Sequence, residues 1–427
     1  MDIQAFLGLL TPAGQAILVE AAASDVSEDA LLATATRLRE RHPADLVNAA
    51  LTQVRLRERA RAKFGDEAAR MYFTPAGLEQ STRGEVAAHR ARRFAEFLGK
   101  AAVLELGCGI GADLTARARA GLGGEAVELD PLTAEVARAN VAAFSLESLV
   151  TVRRDDATTR YAGGIPAGFG AVFADPGRRT ARGRVFDPRS YEPPLDTVLG
   201  LAERVPAACV KVAPGIPYEA LWGDAAAVRG PVEAEWVSVG GDVKEAALWL
   251  GGLAGDVGRR ATLLSPGTSP GGAGDALTLT PEPGLGDPPV RPWGRFLYEP
   301  DGAVIRAHLV AEVAARVGGG LADPHIAYVT SDSLRLTPFA SAYEIEDVLP
   351  FSVKRLRAEL RRREVGVLTV KKRGSAVDVD RLRRDLGFGG RGTKGAGRAG
   401  RTLTLVLTRV GQDPVALLAR PVTAVSP

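Results

Sequence analysis

At 427 residues the chain is too long for one hydrophobic core and predicts several domains. Its hydrophobic fraction of 46% and charged fraction of 25% are those of an ordinary globular protein, and with no apolar run of eighteen residues no transmembrane helix is expected. The two cysteines, Cys108 and Cys209, exclude a disulfide framework, and the scattered His42, His89, His308 and His325 offer no metal-ligand spacing, so a cytoplasmic protein without a metal is expected.

The first stretch, MDIQAFLGLLTPAGQAILVE, lacks a basic n-region and carries Asp2 and Glu20, which predicts an amphipathic helix rather than a secretory signal. Residues 1–98 read as a helical domain, with apolar positions at helical spacing and Pro12 and Pro43 where helices can begin. From Ala101 the pattern becomes strand–turn–helix. AAVLEL, GEAVEL, LVTVR, GAVFA and AACVKVA are apolar runs separated by crossovers, and EAEWVSVG and EAALWLGG are close enough to form a hairpin. Residues 99–254 therefore predict an α/β fold, a Rossmann-like parallel sheet with an antiparallel terminal hairpin. A Gly/Pro-rich stretch marks 255–288 as a linker or edge segment. A small β-α-β pattern follows over 289–345, and 346–427 reads as a compact α+β domain.

That last domain is basic. From Phe351 to Arg401 there are sixteen Lys/Arg against five Asp/Glu, a local +11 that leaves −8 for the rest of a chain whose net charge is +3. A positive block on an otherwise acidic protein is the electrostatic footprint of a polyanionic partner, although a solvated arginine-rich face gives the same composition. The candidate phosphate contacts are Arg361, Arg362, Arg363, Lys371, Lys372, Arg373, Arg391 and Lys394.

The strongest motif is Glu105-Leu-Gly107-Cys108-Gly109-Ile-Gly111-Ala-Asp113, directly after the first predicted strand. Its glycines allow a tight turn and a close approach of backbone to ligand. Gly107, Gly109 and Ala112 also satisfy a dehydrogenase spacing, so context must decide. An acidic Glu105 before the first glycine suits a cationic amino group rather than a pyrophosphate. Glu128 at the end of the second strand suits two ribose hydroxyls, and Asp156-Ala157 after the third suits an adenine. Asp175-Pro176-Gly177-Arg178-Arg179 ends the fourth. Successive strand ends of an open α/β sheet converge on one crevice.

Residues 101–252 resemble a class I S-adenosylmethionine-dependent methyltransferase, and the whole chain resembles bacterial methyltransferases with a C-terminal THUMP-like domain, a family associated with RNA. The resemblance rests on YFTPAGLEQSTRGEVAAHRARRF, ADPGRR, RFLYEPDGAVIRA, IAYVTSD and VKKRG. It implies a ferredoxin-like module over 289–345 and a THUMP-like domain over 346–427. It further implies that Glu105, Gly107, Gly109 and Gly111 hold the methionine end of the cofactor, Glu128 its ribose, and Asp156 and Ala157 its adenine. Gln80 and Thr82 would lie over the methionine carboxylate.

For the acceptor, Asp175 and the Pro176 carbonyl are placed to take hydrogen bonds from a base nitrogen. The expected aromatic platform after the proline is missing. Arg178 can stack on a base or clamp a phosphate, and Phe186 or Tyr191 can supply a ring from the next loop. Lys211 reads as a snorkelling residue at the sheet edge, His89 as structural, and Cys108 as turn packing. RNA, as tRNA or rRNA, is the expected substrate; a translation-related protein substrate, a small-molecule substrate and a non-catalytic binding module remain as alternatives.

Overall fold

The computed structural model describes residues 2–177, 191, 193–216, 230–266, 276–388 and 400–422, and the backbone of 179–180 and 183–184. The chain divides into two units, Met1–Ala276 and Leu277–Pro427.

The first unit opens with helices α1 (Ile3–Leu9), α2 (Pro12–Ala22), α3 (Leu31–Arg39) and α4 (Ala44–Phe64). Side-chain oxygens of Asp2 and Thr11 cap α1 and α2, and Pro12 occupies the first turn of α2 where its missing N–H costs nothing. After a 3-10 turn, residues 71–74 run extended into α5 (Pro75–Gln80), and α6 (Gly84–Leu98) leads to the sheet. One hydrophobic cluster contains Phe6, Leu9, Leu18, Val47 and Leu56 from the first helices and also Phe73, Leu78, Ile110 and Val136. The boundary expected at 98/99 thus separates no two cores. The apolar faces of the first helices close over the segment that leads into the sheet.

The sheet strands are β1 (Ala102–Leu106), β2 (Gly124–Glu128), β3 (Val150–Arg154), β4 (Phe169–Ala174), β5 (Ala207–Val212), β6 (Val232–Val239), β7 (Asp242–Gly251) and β8 (Arg259–Leu264). They run in the order β8-β6-β7-β5-β4-β1-β2-β3. Strands β3 to β5 are parallel, and β7 is antiparallel to both β5 and β6, which is the expected hairpin. Strand β8, parallel to β6, lies in the stretch read as a linker or edge segment. Crossovers α7 (Ala112–Arg119), α8 (Pro131–Ala143), α9 (Ala157–Arg160) and α10 (Leu195–Ala202) join the parallel strands. The order reverses at β1, between β4 and β2, so the carboxyl ends of β1, β2 and β4 open onto one crevice.

Helix α6 carries its charges inward. His89 Nε2 meets Glu235 Oε1 at 2.9 Å, and Arg93, stacked over Trp249, pairs with Glu233 at 2.6 Å. Burial pushes the Glu235 carboxyl up, but His89, Arg93 and Thr262 outweigh it and hold the group below the usual carboxylate range. Between them Arg90, 1% exposed, bridges Asp113 of α7 and Glu245 of β7 while lying over the Phe173 ring of β4.

The second unit is built on β9 (Phe296–Pro300), β10 (Gly320–Asp323), β11 (Ile326–Ser331), β12 (Ala340–Pro350), β13 (Val365–Lys372), β14 (Arg401–Val410) and β15 (Asp413–Val422). They form one sheet in the order β10-β11-β9-β12-β15-β14-β13. Helices α11 (Gly302–Arg306) and α12 (Val310–Val317) follow β9. Helices α13 (Val353–Arg362) and α14 (Val379–Asp385) pack Leu356, Leu360, Leu382 and Leu386 against Leu403, Leu405 and Leu418. The boundary expected at 345/346 falls inside β12, which pairs with β9 on one side and β15 on the other. The anticipated module and domain therefore share their backbone hydrogen bonds in one sheet.

Replacing Arg90 with methionine leaves Asp113 and Glu245 buried without their cation. Loss of one partner from a buried ion pair costs about 3–5 kcal/mol. A urea titration followed by tryptophan fluorescence is expected to show a loss of that order.

Candidate functional site

The turn from β1 into α7 cannot be built from ordinary residues. Gly107, Gly109 and Gly111 have φ of 77°, 55° and 80°, in the left-handed region, and a Cβ at Gly107 would stand 3.5 Å from the Asp175 carbonyl oxygen. The turn borders a crevice of 970 Å3 at the carboxyl ends of the strands, lined by these loop residues, by Thr74–Thr82 and by acidic residues from β1 to β4.

Glu105, on the last turn of β1, is 1% exposed and accepts a hydrogen bond from Arg117 Nη2 at 2.5 Å. Burial, reinforced by Asp113, outweighs Arg117 and pushes its carboxyl up to about 7. A buried carboxylate in that condition gains from a further cation at the crevice. Glu128 accepts from Gly109 N at 2.8 Å through Oε2 and from Asp130 N at 3.0 Å through Oε1. Burial raises its carboxyl above the usual range. Each oxygen retains a lone pair, which suits two vicinal hydroxyls. Asp156 caps α9, accepting from Thr158 N at 2.8 Å and Thr158 Oγ1 at 2.6 Å, and these bonds hold its carboxyl below the usual range. Ala157 lies beside it on the crevice wall.

At the end of β4, Asp175 lines the crevice and Pro176 is buried next to it. Lys211 is not a snorkelling edge residue. It is 3% exposed on β5, which lies between β4 and β7, and its Nζ donates to Asp175 Oδ2 at 2.6 Å and to Thr82 Oγ1 at 2.9 Å. Position 211 sits in a strand whose six residues are all buried, a signal that a lysine there needs an internal partner. Gln80 is exposed on the crevice rim and Thr82 is buried in its wall. Gln80, Thr82, Glu105, Gly107, Gly109, Glu128, Asp156, Ala157 and Asp175 are thus gathered around one cavity. Gly111 supplies the turn behind it. Tyr191 offers no ring to the crevice; it is 1% exposed and its hydroxyl accepts from Ala213 N at 3.1 Å. Arg178 and Phe186 lie outside the described residues, as does the Arg179 side chain.

In the second unit the basic residues divide by partner. Arg363 is committed to Glu346 at 2.9 Å and Asp347 at 2.8 Å, and Lys371 to Glu299 at 2.5 Å. Their side chains close the sheet's own charge network, in which Arg401 and Arg420 also meet Glu346 at 2.7 and 2.8 Å. Arg373 lies over the Tyr328 ring at 5.6 Å. By contrast Lys354, Arg355 and Arg361 are exposed on α13 without an ion-pair partner among the described residues. Arg362 is exposed but shared with Glu359, and Lys372 caps the Val377 carbonyl. Arg391 and Lys394 lie outside the described residues. The sequence shows where arginines cluster but not which of them meet carboxylates on neighbouring strands.

The fold agrees with comparisons to known proteins. Residues 340–421 match a family described as THUMP domain-like, and residues 2–60 match one described as a domain of unknown function. Two S-adenosylmethionine-dependent methyltransferases, from two strains of Mycobacterium tuberculosis, are each 35% identical to the chain over 365 residues, covering 83% of it and 91% of their own length. A crystal structure from Porphyromonas gingivalis W83, of a protein assigned as a methyltransferase, matches with a TM-score of 0.71 at 21% identity and covers 96% of this chain and 98% of its own.

Proposed function

Since the chain belongs to the family of S-adenosylmethionine-dependent methyltransferases, we propose that it methylates a base of tRNA or rRNA and docks that RNA with its basic C-terminal domain. The residues around the crevice fit the cofactor. Glu105 would meet its amino group, the Gly107–Gly111 turn would pass along its methionine portion, and Gln80 and Thr82 would take its carboxylate. Glu128 would accept from the ribose hydroxyls, and Asp156 with Ala157 would border the adenine.

The cofactor brings a methyl group already activated by its sulfonium, so the protein contributes mainly alignment. Lys211 fixes Asp175 through Oδ2, leaving Oδ1 to accept an N–H from the acceptor amine. The Pro176 carbonyl accepts the second. Together they would orient the nitrogen lone pair, and Asp175 Oδ1 would take up the proton the amine loses when its new N–C bond replaces the methyl–sulfur bond, with the thioether as leaving group.

The observation that carries the RNA reading is the exposed basic face of α13, where Lys354, Arg355 and Arg361 have no internal partner among the described residues. Phosphate contacts of this kind position a nucleic acid without reading its sequence.

Two measurements test this assignment. Because Glu105 takes up a proton near pH 7 and must be ionised to meet an ammonium, affinity for S-adenosylhomocysteine should weaken as pH falls. Calorimetry is expected to show roughly tenfold weaker binding at pH 6 than at pH 8. Glu105→Gln should bind weakly at both values. For the docking surface, binding of unfractionated tRNA is expected to weaken steeply with salt. Replacing Lys354, Arg355 and Arg361 with alanine should lower the slope of log K against log salt by about 2–3. An unchanged slope would remove α13 from the interface.

A further inference from the structure

The segment Met71–Thr82 forms one wall of the crevice, contributing Thr74, Gly77, Gln80 and Thr82 to its lining. Met71, Tyr72, Phe73 and Leu78 bury their side chains in the core, and the main chain of the segment is hydrogen-bonded from both sides. From α4, Gln53 Nε2 donates to Phe73 O at 2.7 Å while its Oε1 accepts from Phe73 N at 3.0 Å, and Arg57 Nε donates to Met71 O at 2.8 Å. Near the end of the same helix, Lys63 Nζ donates to three carbonyls at the end of α5, Leu78 O at 2.6 Å, Glu79 O at 2.9 Å and Ser81 O at 2.8 Å. From the opposite side, Asn140 of α8 accepts from Tyr72 N at 2.7 Å and donates to Tyr72 O at 3.0 Å and to Ile110 O, within the glycine turn, at 2.8 Å.

The wall is also pressed against that turn. A Cβ at Gly77 would come within 2.4 Å of Ile110 Cγ2 and 2.7 Å of Thr74 Oγ1. At its far end Thr82 Oγ1 accepts from Lys211, the residue that fixes Asp175. Burial and the neighbouring Lys211 and Arg83 cations push Lys63 down to about 8, so near neutral pH its partly buried ammonium still has three donors for the three carbonyls.

Clamping a segment by its backbone leaves those side chains that line the crevice available to a ligand and orders the segment before the ligand arrives. We infer that the N-terminal helices are part of the cofactor site, with α4 acting through Lys63, Gln53 and Arg57 as the clamp that sets the Met71–Thr82 wall against the methionine end of S-adenosylmethionine. This inference rests on the cofactor placement above. It gives the region 2–60 a role inside the methyltransferase, because Gln53 and Arg57 belong to that region and Lys63 extends the same helix. Lys63 is a positioning residue: it meets the wall's carbonyls and acts on the ligand only through Gln80–Thr82.

The test compares two unreactive ligands on the full-length protein by calorimetry. S-adenosylhomocysteine has the amino-acid end that the wall faces; 5′-methylthioadenosine keeps the nucleoside and lacks that end. Lys63→Met is expected to weaken the first by about tenfold while changing the second by less than about twofold, and Lys63→Arg, which restores a cationic donor, should recover part of the loss. Gly77→Ala provides a second variant that leaves α4 intact, since its new Cβ must push the wall off Ile110, and the same selective loss is expected. Equal affinities of wild type and both variants for S-adenosylhomocysteine would overturn the inference, as would equal losses for both ligands. Failure of the wild-type protein to bind either ligand would instead overturn the cofactor placement itself.

Discussion

The first unit depends on the charge it buries under α6. A guanidinium in a dry interior is costly unless its donors are met, and Arg90 meets that demand by bridging Asp113 and Glu245 above the Phe173 ring. One side chain thereby fixes α6 to the helix that follows the glycine turn, to the antiparallel strand β7 and to the central strand β4. Thr82 stands just before α6 and Asp175 just after β4, so both edges of the crevice inherit their positions from this contact. Arg117 with Glu105 and Lys211 with Asp175 extend the same arrangement to the crevice itself. Each is a cation that holds a carboxylate lining the crevice.

This arrangement explains how an acidic crevice tolerates its own carboxylates. Glu105, Glu128, Asp156 and Asp175 all line one cavity, and like charges in partial burial repel. The structure meets the cost differently at each. Glu105 and Asp175 have buried cations, Glu128 has two backbone N–H donors, and Asp156 has the start of α9. These fixed partners leave each carboxylate with unused acceptor capacity in a defined direction, which is what a polyfunctional cofactor requires.

Much of the fold was legible because the first unit obeys strand–helix periodicity. The apolar runs from AAVLEL to AACVKVA are the parallel strands β1 to β5, as expected, and the glycine spacing located the turn. What could not be read were contacts between residues distant in sequence. Lys211 has no local signature beyond being a lysine in an apolar strand; Asp175 and Thr82 reach it from 36 and 129 residues away. Gln53, Lys63 and Asn140 act through main-chain atoms, which carry no sequence pattern. The boundary at 345/346 was misplaced for a similar reason. β12 is one strand paired on both sides, and pairing partners so distant in sequence leave no mark on local composition. Charge counting located the basic block correctly but treated Arg361 and Arg363 alike, although only Arg363 closes onto Glu346 and Asp347.

The proposed reaction is delivery of a methyl group from this crevice to RNA. The direct measurement is incubation of purified protein with S-adenosylmethionine labelled in its methyl group and total RNA from cells lacking the corresponding gene, followed by separation of RNA, protein and small molecules. Label is expected in RNA, confined to a modified base after nucleoside digestion, and is expected to be lost with Asp175→Ala. Label in protein or small molecules with none in RNA, or label in RNA that survives Asp175→Ala, would contradict the proposed reaction.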